Sequence, residues 1–177
     1  HYFRECLGRQ EGLLGFQYLM ERGFTKQQIE EYQFGFASSK SSALMRYLQS
    51  QGVSKEDIRE CSLGNCYEGK DYDFFRNRIT IPIRDIYGKI IAFGGRALPS
   101  STSLQKYKNS RYDKSSVLFG LYQARDGIRK KSRAIVVEGY LDAIKLWSCG
   151  FKEAVACQGT VLTKQHIMSL KNQTQQV

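Results

Sequence analysis

Long apolar runs, paired cysteines and histidines are all scarce in this sequence of 177 residues. None of its apolar runs approaches the roughly 18 residues of a membrane-spanning helix, so no contact with a membrane is expected. The first six residues, His-Tyr-Phe-Arg-Glu-Cys, lack the basic and apolar regions of a secretory signal peptide. The five cysteines form no Cys-x-x-Cys pair and only two histidines accompany them, which argues against structural zinc. We therefore expect a cytoplasmic protein with reduced thiols.

The excess of positive charge is concentrated in the middle of the chain. The formal net charge is +10, and residues 76–133, which we call the basic block, hold 14 Lys or Arg but only three acids. The rest of the chain is nearly neutral. A concentrated basic block beside acidic residues is typical of a protein that binds a polyanion such as nucleic acid. A merely solvated basic surface is the alternative.

Two acidic residues lie close together in residues 134–147, the segment with the clearest α/β pattern. The β-branched run Ile135–Val137 predicts a short strand buried on both faces, and Gly139 allows a turn into a helix. Glu138 then lies at the carboxyl end of the strand and Asp142 in the first turn of the helix, where open α/β sheets bind ligands. Two such carboxylates suit Mg²⁺, although a surface Glu and a helix-stabilising Asp are the alternative. The run Val-Glu-Gly-Tyr-Leu-Asp resembles the opening of a Toprim domain, found in bacterial primases, topoisomerases and some nucleases.

A mainly helical lobe is predicted before the basic block. Residues 2–22 predict one or two helices, and Thr25 begins the next with a capping-box pattern. Residues 34–37 are predicted to leave that helix as a short strand. An amphipathic helix is expected over residues 42–51, and Ser54 begins a brief one after it.

A β-hairpin is predicted inside the basic block. Residues 79–93 contain two apolar runs that flank a turn at residues 85–88. Pro82 favours an edge position or a bulge in the first strand. Gly94 and Gly95 allow the backbone to approach another group closely, which could be a phosphate. The alternative is that the two glycines only form a bend that ends the strand.

A polar, Ser-rich loop is predicted over residues 99–116. Its cations are interleaved with Tyr107 and Tyr112, and such a segment could hold phosphates and stack bases. A flexible, solvated linker is the alternative.

The last part of the chain is predicted to extend the α/β unit. Residues 119–130 are expected to be helical, and residues 153–157 to form a second strand parallel to the first through a right-handed crossover. Residues 158–160 are a predicted loop at the end of that strand. Thr163 is the predicted cap of a helix that ends near Lys171.

The order of the motifs resembles the catalytic core of the DnaG-type bacterial primases along nearly the whole chain. The motifs that carry this resemblance are Tyr-Leu-Met-Glu-Arg-Gly at residues 18–23, Phe-Gly-Phe-Ala at 34–37, Tyr-Asp-Phe-Phe-Arg-Asn-Arg-Ile-Thr-Ile-Pro-Ile-Arg-Asp at 72–85, Ile-Ala-Phe-Gly-Gly-Arg at 91–96, Lys-Tyr-Lys-Asn-Ser at 106–110, Gly-Leu-Tyr at 120–122 and Glu-Gly-Tyr-Leu-Asp at 138–142. A topoisomerase or nuclease would share only the last of them. The resemblance therefore implies synthesis of short RNA primers on single-stranded DNA during replication.

The resemblance also implies roles for individual residues. Glu138 would be the principal catalytic acid and Asp142 would join it in binding Mg²⁺ or Mn²⁺. Residues that would line the surface for template and nucleotide are Arg22, Arg76, Arg78, Arg96, Lys106, Tyr107, Asn109 and Lys114. The implied partners are single-stranded DNA and ribonucleoside triphosphates.

The chain departs from the family pattern in four ways. The zinc-binding module that precedes this core in primases and the helicase-binding module at the far end have no counterpart here, so a replicative helicase would bind elsewhere. The loop after Ser110 is shorter than in the family, which affects the assignment of Lys114. The Asp-x-Asp strand end that completes the metal site is expected just beyond Val177. We therefore expect a fragment of a primase core, or a degenerate relative of one, that makes no primers by itself.

The sequence thus predicts an α+β fold in two parts. Residues 1–132 would form a mixed N-terminal subdomain with a basic surface, and residues 133–177 a truncated Toprim-type α/β unit. Two other functions stay open at this point, namely a fragment of a Toprim nuclease or topoisomerase and a basic module that binds single strands without catalysis.

Overall fold

A computed structural model describes residues 1–99, 105–159 and 161–177. The fold is α+β, as predicted. The α-helices are α1 Tyr2–Gly8, α2 Leu13–Glu21, α3 Lys26–Glu31, α4 Ala43–Ser50, α5 Lys55–Glu60, α6 Leu121–Lys131, α7 Tyr140–Ser148 and α8 Lys164–Lys171, with a 3₁₀ turn at Gln10–Gly12. The strands are β1 Gly35–Ala37, β2 Gly64–Tyr67, β3 Lys70–Asp73, β4 Arg78–Arg84, β5 Ile90–Ala97, β6 Tyr107–Asn109, β7 Ile135–Val137 and β8 Ala154–Ala156. None of the helices in the described residues is both long and apolar enough to cross a membrane.

The chain divides into two compact units. Unit 1 consists of His1–Pro82 and Ala92–Arg111, and unit 2 of Ile83–Ile91 and Tyr112–Val177. The predicted boundary between residues 132 and 133 stays a prediction.

A four-stranded sheet in the order β1-β4-β5-β6 is central to unit 1. The β1 strand pairs antiparallel with β4 from Gly35 opposite Thr80 to Ala37 opposite Arg78. Pro82 lies beyond the last of these partners, so its missing N–H removes no hydrogen bond to β1. The core against this sheet is aromatic and contains Phe3, Ala37, Leu44 and Phe75.

The predicted hairpin is confirmed, and its turn is fixed by an aspartate. The backbone amide of Asp85 donates to Lys89 O at 3.0 Å. The Asp85 carboxylate accepts from the amides of Tyr87 and Lys89 at 2.9 and 3.0 Å. Gly88 has a φ of +89°, which a residue with a Cβ adopts only with strain. Local turn chemistry therefore specifies the residues at which β4 ends and β5 begins.

Three short strands, β2, β3 and β6, were not predicted from the sequence. The β2 and β3 strands form a separate antiparallel hairpin from Gly64 opposite Asp73 to Tyr67 opposite Lys70. The β6 strand lies inside the predicted loop and pairs with β5. Residues 100–104 of that loop and Thr160 of the later one lie outside the described residues.

The first turn of α4 is capped by a residue from another element. The carboxylate of Asp73, which is 8% exposed, accepts from the amides of Leu44 and Met45 at 2.8 and 2.9 Å. Burial raises the pKa of Asp73, and these backbone hydrogen bonds only partly oppose that rise. Ser42 precedes the helix, but its side chain makes no capping bond. The amide groups at the start of α4 are therefore satisfied by β3.

A parallel strand pair is central to unit 2, as predicted. The β7 strand pairs with β8 from Ile135 opposite Ala154 to Val137 opposite Ala156. The α7 helix between them buries Trp147, and Thr163 caps α8 with its hydroxyl. Apolar residues of the core around these elements are Leu118, Leu121, Ala124, Ile128, Ala134, Val155, Cys157 and Leu170.

The prediction that β7 is buried on both faces was wrong, because its three residues are only half-buried. The Ile135 amide donates to Glu153 O on the β8 side at 3.1 Å, whereas the preceding Ala134 amide donates to Gln176 O at 2.9 Å. Successive amides of an extended strand point to opposite edges. The chain at Gln176 therefore lies along the β7 edge that β8 does not occupy.

Candidate functional site

In unit 1 the register of β5 and β6 brings a buried arginine beside two tyrosines. Arg96 lies opposite Tyr107 in the sheet, and its guanidinium carbon is 5.0 Å from the centroid of that ring. The same carbon is 5.7 Å from the Tyr18 ring, and Arg96 Nε donates to the Tyr18 hydroxyl at 2.8 Å. Arg96 is 7% exposed. Aromatic faces and a hydroxyl thus compensate a charge that is largely removed from water.

A second arginine contacts the same tyrosine. Arg22 follows the last residue of α2, and its guanidinium carbon is 5.2 Å from the Tyr18 ring centroid. Its side chain is exposed, unlike that of Arg96. We call Tyr18, Arg22, Arg96 and Tyr107 the arginine–tyrosine cluster. It assembles three residues that were predicted from the sequence and one, Tyr18, that was not.

Lys108, on β6, is a further cation that the sequence did not single out. Its Nζ atom lies 3.7 Å from the Phe74 ring centroid and donates to Phe74 O at 3.0 Å. Burial lowers the pKa of Lys108, and the positive charges of Arg78 and Arg76 lower it further. Positive charge that is concentrated in this way favours an anion as its neighbour.

Arg78 is directed into unit 1. It is 4% exposed, and its Nη1 atom donates to Gly95 O at 3.2 Å and to Gln105 O at 2.8 Å. Burial lowers the pKa of Arg78, which still remains charged at neutral pH. A Cβ atom at Gly95 would lie 2.5 Å from the Phe75 ring, so the close approach that this glycine permits is to a side chain. Arg78 therefore tethers the segment before β6 to β5.

The other predicted residues of unit 1 differ in exposure. Arg76 and Lys106 are exposed, whereas Asn109 is half-buried opposite Gly94. The Lys106 carbonyl accepts from the Ala97 amide at 3.0 Å, which continues the β5–β6 pairing by one residue. The pairing thus fixes the backbone of Lys106 while its side chain stays accessible.

In unit 2 the two predicted acids lie at the strand-to-helix turn. Glu138 follows β7 and is exposed, and its carbonyl accepts from the Gln158 amide at 2.8 Å. Gly139 precedes α7, and Asp142 is the third residue of that helix. A Cβ atom at Gly139 would lie only 2.8 Å from Asp142 Oδ2. The missing side chain of Gly139 therefore allows the Asp142 carboxylate to lie against the turn that follows Glu138.

The loop that carries Lys114 is held by the start of α8. The Nε2 atom of the fully buried His166 is 2.9 Å from Lys114 O, and Thr163 Oγ1 donates to Ser115 O at 2.6 Å. Asp113 accepts from the amide and the hydroxyl of Ser115, which holds the pKa of its carboxyl below the usual range. Lys114 itself is half-buried. The structure thus places Lys114 in a well-anchored loop of unit 2, whereas the arginine–tyrosine cluster belongs to unit 1.

The described residues hold no group of three or more His, Cys, Asp or Glu residues that could together bind a metal ion. Glu138 and Asp142 both carry carboxylates at the strand-to-helix turn, and carboxylate oxygens are the donor type that Mg²⁺ binds.

Tyr18 and Lys108 were missed because the sequence gives little sign of either. Tyr18 belongs to an α2 stripe that reads as ordinary core, and Arg96 is 78 positions away from it. Lys108 lies within the motif at residues 106–110, but the resemblance implied no role for it. An alternating pattern through Tyr107, Lys108 and Asn109 is too short to predict a strand.

Comparisons with known proteins identify relatives along both parts of the chain. Residues 2–125 match the sequence family described as the DNA primase catalytic core, N-terminal domain, and residues 132–177 match the Toprim domain family. The chain is 41% identical to a DNA primase of Halalkalibacterium halodurans over 174 residues, which is 95% of this chain and 29% of the relative. The chain therefore spans less than a third of that relative.

Two solved structures are similar along nearly the whole chain. One is the RNA polymerase domain of Mycobacterium tuberculosis primase DnaG in complex with double-stranded DNA, with a TM-score of 0.92 and 32% identity over 98% of this chain and 56% of that one. The other is a DnaG primase catalytic domain bound to ssDNA, with a TM-score of 0.87 and 33% identity over 99% of this chain and 56% of that one.

Proposed function

Because the chain belongs to the DnaG-type family of bacterial DNA primases, we propose that it contributes the template surface and two catalytic acids of an enzyme that makes RNA primers. Such an enzyme joins ribonucleoside triphosphates on a single-stranded DNA template. The chain is much shorter than its curated relatives, and the complete reaction is proposed for the longer protein.

The observation that carries this proposal is the arginine–tyrosine cluster, in which Arg96 and Tyr107 of the basic block meet Tyr18 and Arg22 of the N-terminal part. Guanidinium groups beside aromatic rings offer charge to phosphates and flat faces to bases, with little dependence on sequence. Tyr107 is half-buried beside Arg96, and a base is proposed to contact its ring. The similar primase domain that is bound to ssDNA supports single-stranded DNA as the ligand.

Glu138 and Asp142 are proposed to hold the divalent ion of the reaction. When bound, Mg²⁺ or Mn²⁺ would neutralise charge on the phosphates that react. The role of the chain is to keep both carboxylates at the carboxyl end of β7, with Gly139 leaving space for Asp142. Further ligands are expected from an Asp-x-Asp segment beside β7, on the edge where Gln176 already accepts from Ala134.

The alternatives considered from the sequence are less well supported. A Toprim nuclease or topoisomerase would not account for the match of residues 2–125 to the primase core family. A basic module without catalysis would not account for the Toprim match over residues 132–177. We do not assign helicase binding to any of these residues.

The acid roles are tested in the full-length primase by primer synthesis on single-stranded DNA with Mg²⁺ and labelled ribonucleotides. Glu138→Gln should abolish detectable primers while leaving DNA affinity unchanged. Asp142→Asn should reduce synthesis, whereas Asp126→Asn, at an 88% exposed side chain of the same unit, should not. Full activity of Glu138→Gln would exclude this acid from the reaction.

The 177-residue chain by itself is proposed to bind DNA without making primers. Two carboxylates are too few for a firm Mg²⁺ site, because this ion wants several ligands at ideal geometry. Template-dependent incorporation of ribonucleotides by the purified chain would contradict this expectation.

The binding role is tested by the salt dependence of affinity for a labelled oligothymidylate. Lys106→Ala and Arg76→Ala should each lower the log–log salt slope by about 0.7 if each contacts one phosphate. Arg9→Ala and Lys171→Ala change cations outside the basic block and serve as controls. Equal small effects of all four substitutions would mean that the basic block is only a solvated surface.

A further inference from the structure

We propose that Tyr18 is a positioning residue that holds Arg96 as a two-pronged phosphate clamp. The Tyr18 hydroxyl would fix the guanidinium through Nε and leave both Nη groups for one phosphate. This inference rests on the proposed nucleic-acid and nucleotide binding of unit 1. Tyr18 would not bind the phosphate itself but would raise the affinity with which Arg96 binds it.

The hydrogen-bond inventory of Arg96 supports the clamp. A guanidinium has five N–H donors, of which Nε carries one and the two Nη atoms carry four. Among the described residues, the side-chain hydrogen bond that Arg96 makes is the one from Nε to Tyr18, at 2.8 Å. Its Nη groups are therefore the donors that remain, and their parallel N–H bonds match the two oxygens of a phosphate.

The position of Tyr18 explains how it can orient a flexible side chain. Tyr18 is 7% exposed and lies in α2 next to Leu19, which is fully buried. Its ring is therefore held rigidly by the core. Arg96 contacts this ring and the Tyr107 ring as well as the hydroxyl. A side chain that is fixed before binding loses less conformational freedom when its ligand binds, and its affinity for the ligand is therefore higher.

Arg22 provides an internal comparison for the hydroxyl. Its guanidinium carbon lies over the same Tyr18 ring at 5.2 Å, but the Tyr18 hydroxyl bonds to Arg96. Removing only the hydroxyl should therefore affect Arg96 and leave the ring contact of Arg22 intact. A general loss of structure around Tyr18 would affect both arginines.

The clamped phosphate could come from the DNA backbone or from a nucleoside triphosphate, and two assays separate these sources. The first measures fluorescence anisotropy of 5′-fluorescein oligothymidylate with the 177-residue chain. The second measures binding of a fluorescent ribonucleoside triphosphate by the full-length primase with Mg²⁺. The variants in both are Tyr18→Phe, Arg96→Ala, Arg22→Ala and the two double variants that contain Tyr18→Phe.

Tyr18→Phe should weaken binding of the relevant probe by about 5-fold, which corresponds to about 1 kcal/mol for one hydrogen bond. In the Arg96→Ala background the same change should have no further effect, because the hydroxyl has lost its donor. In the Arg22→Ala background it should keep its full effect. Tyr2→Phe, which removes another hydroxyl of unit 1, should leave affinity unchanged.

The outcomes distinguish this inference from the proposed function. If Arg96→Ala binds both probes as tightly as the wild type, the arginine–tyrosine cluster is not a binding surface and both ideas fail. Two outcomes would overturn only the positioning role of Tyr18. In the first, Arg96→Ala weakens binding but Tyr18→Phe does not. In the second, Tyr18→Phe weakens binding by the same factor in the Arg96→Ala background as in the wild type. An effect on the oligonucleotide alone assigns the clamp to the DNA backbone, and an effect on the triphosphate alone assigns it to the nucleotide.

Discussion

Removing the two cations that pair with the buried Glu153 should destabilise the fold more than removing Glu153 itself. Glu153 lies just before β8 and is fully buried, and its Oε1 atom accepts from Arg133 Nη2 at 2.9 Å and lies 3.3 Å from Lys131 Nζ. The side chains of both cations are 43% exposed. Removing the acid leaves cations that water can solvate, whereas removing the cations leaves a buried charge without a partner.

This asymmetry sets the expected sizes of two free-energy changes. Glu153→Gln should lower the free energy of unfolding by about 1–2 kcal/mol, because a buried amide replaces a charged acceptor. Loss of both cations in Arg133→Gln/Lys131→Gln should cost about 3 kcal/mol. This value is at the lower end of the range for a broken buried ion pair, because the two cations of this pair are partly exposed to water. Trp147, the only tryptophan, is 3% exposed in unit 2, so its fluorescence during urea unfolding measures both changes.

The same pair predicts how stability depends on pH. Burial alone would raise the pKa of Glu153, but its own backbone amide, Arg133 and Lys131 together hold it below the usual value. The unfolded state therefore binds this proton more readily, and the stabilisation is present above pH of about 4.3 and lost as the pH falls through the folded-state pKa. The gap between wild type and Glu153→Gln should narrow in acid. A gap that widens in acid, or a larger cost for Glu153→Gln than for loss of both cations, would refute this reasoning.

Three further substitutions test single contacts. Gly139→Ala should weaken Mn²⁺ binding by the full-length primase by about 10-fold, because the new Cβ displaces the Asp142 carboxylate. A spectroscopic titration measures this affinity. Gly8→Ala is the control, because a Cβ at Gly8 would meet open space. Asp73→Ala should lower the free energy of unfolding by about 2–4 kcal/mol, since two buried amides of α4 lose a charged acceptor, and unchanged stability in urea would contradict the capping role. Arg78→Lys should reduce stability by about 1–2 kcal/mol through its lost carbonyl contacts, and a lowered salt slope for oligothymidylate would show that it also contacts phosphate.

Local sequence signals predicted the elements that depend on neighbouring residues. The capping box of Thr25 with Gln28 and the cap of Thr163 are both present, because each joins residues three positions apart. The turn at Asp85 and Gly88 is likewise a short-range structure. The parallel pairing of β7 and β8 was also predictable, since an alternation of strand, helix and strand indicates a parallel sheet.

Elements that depend on distant partners were not predictable in this way. The β6 strand has three residues and pairs with β5, and nothing in its own residues distinguishes it from a loop. The hydrogen bond between Tyr18 and Arg96 joins residues 78 positions apart. Arg78 belongs to a basic motif by sequence, and only its burial reveals the carbonyl groups that it contacts. The sequence thus named candidate site residues one by one, and they stay predictions, whereas the contacts that orient them were not predicted.

The cap that Asp73 provides for α4 has a consequence for the order of events during protein synthesis. Leu44 and Met45 leave the ribosome 29 and 28 residues before Asp73. Until then the first amides of this eight-residue helix have no acceptor from β3, and a helix so short is unstable alone. At 5–20 residues per second this delay is roughly 1.5–6 s. Residues 43–50 therefore remain available to chaperones and proteases until the β2–β3 hairpin has left the ribosome. Ribosome-bound chains in which residues 43–50 have emerged but residue 73 has not should be cleaved there more readily than longer ones.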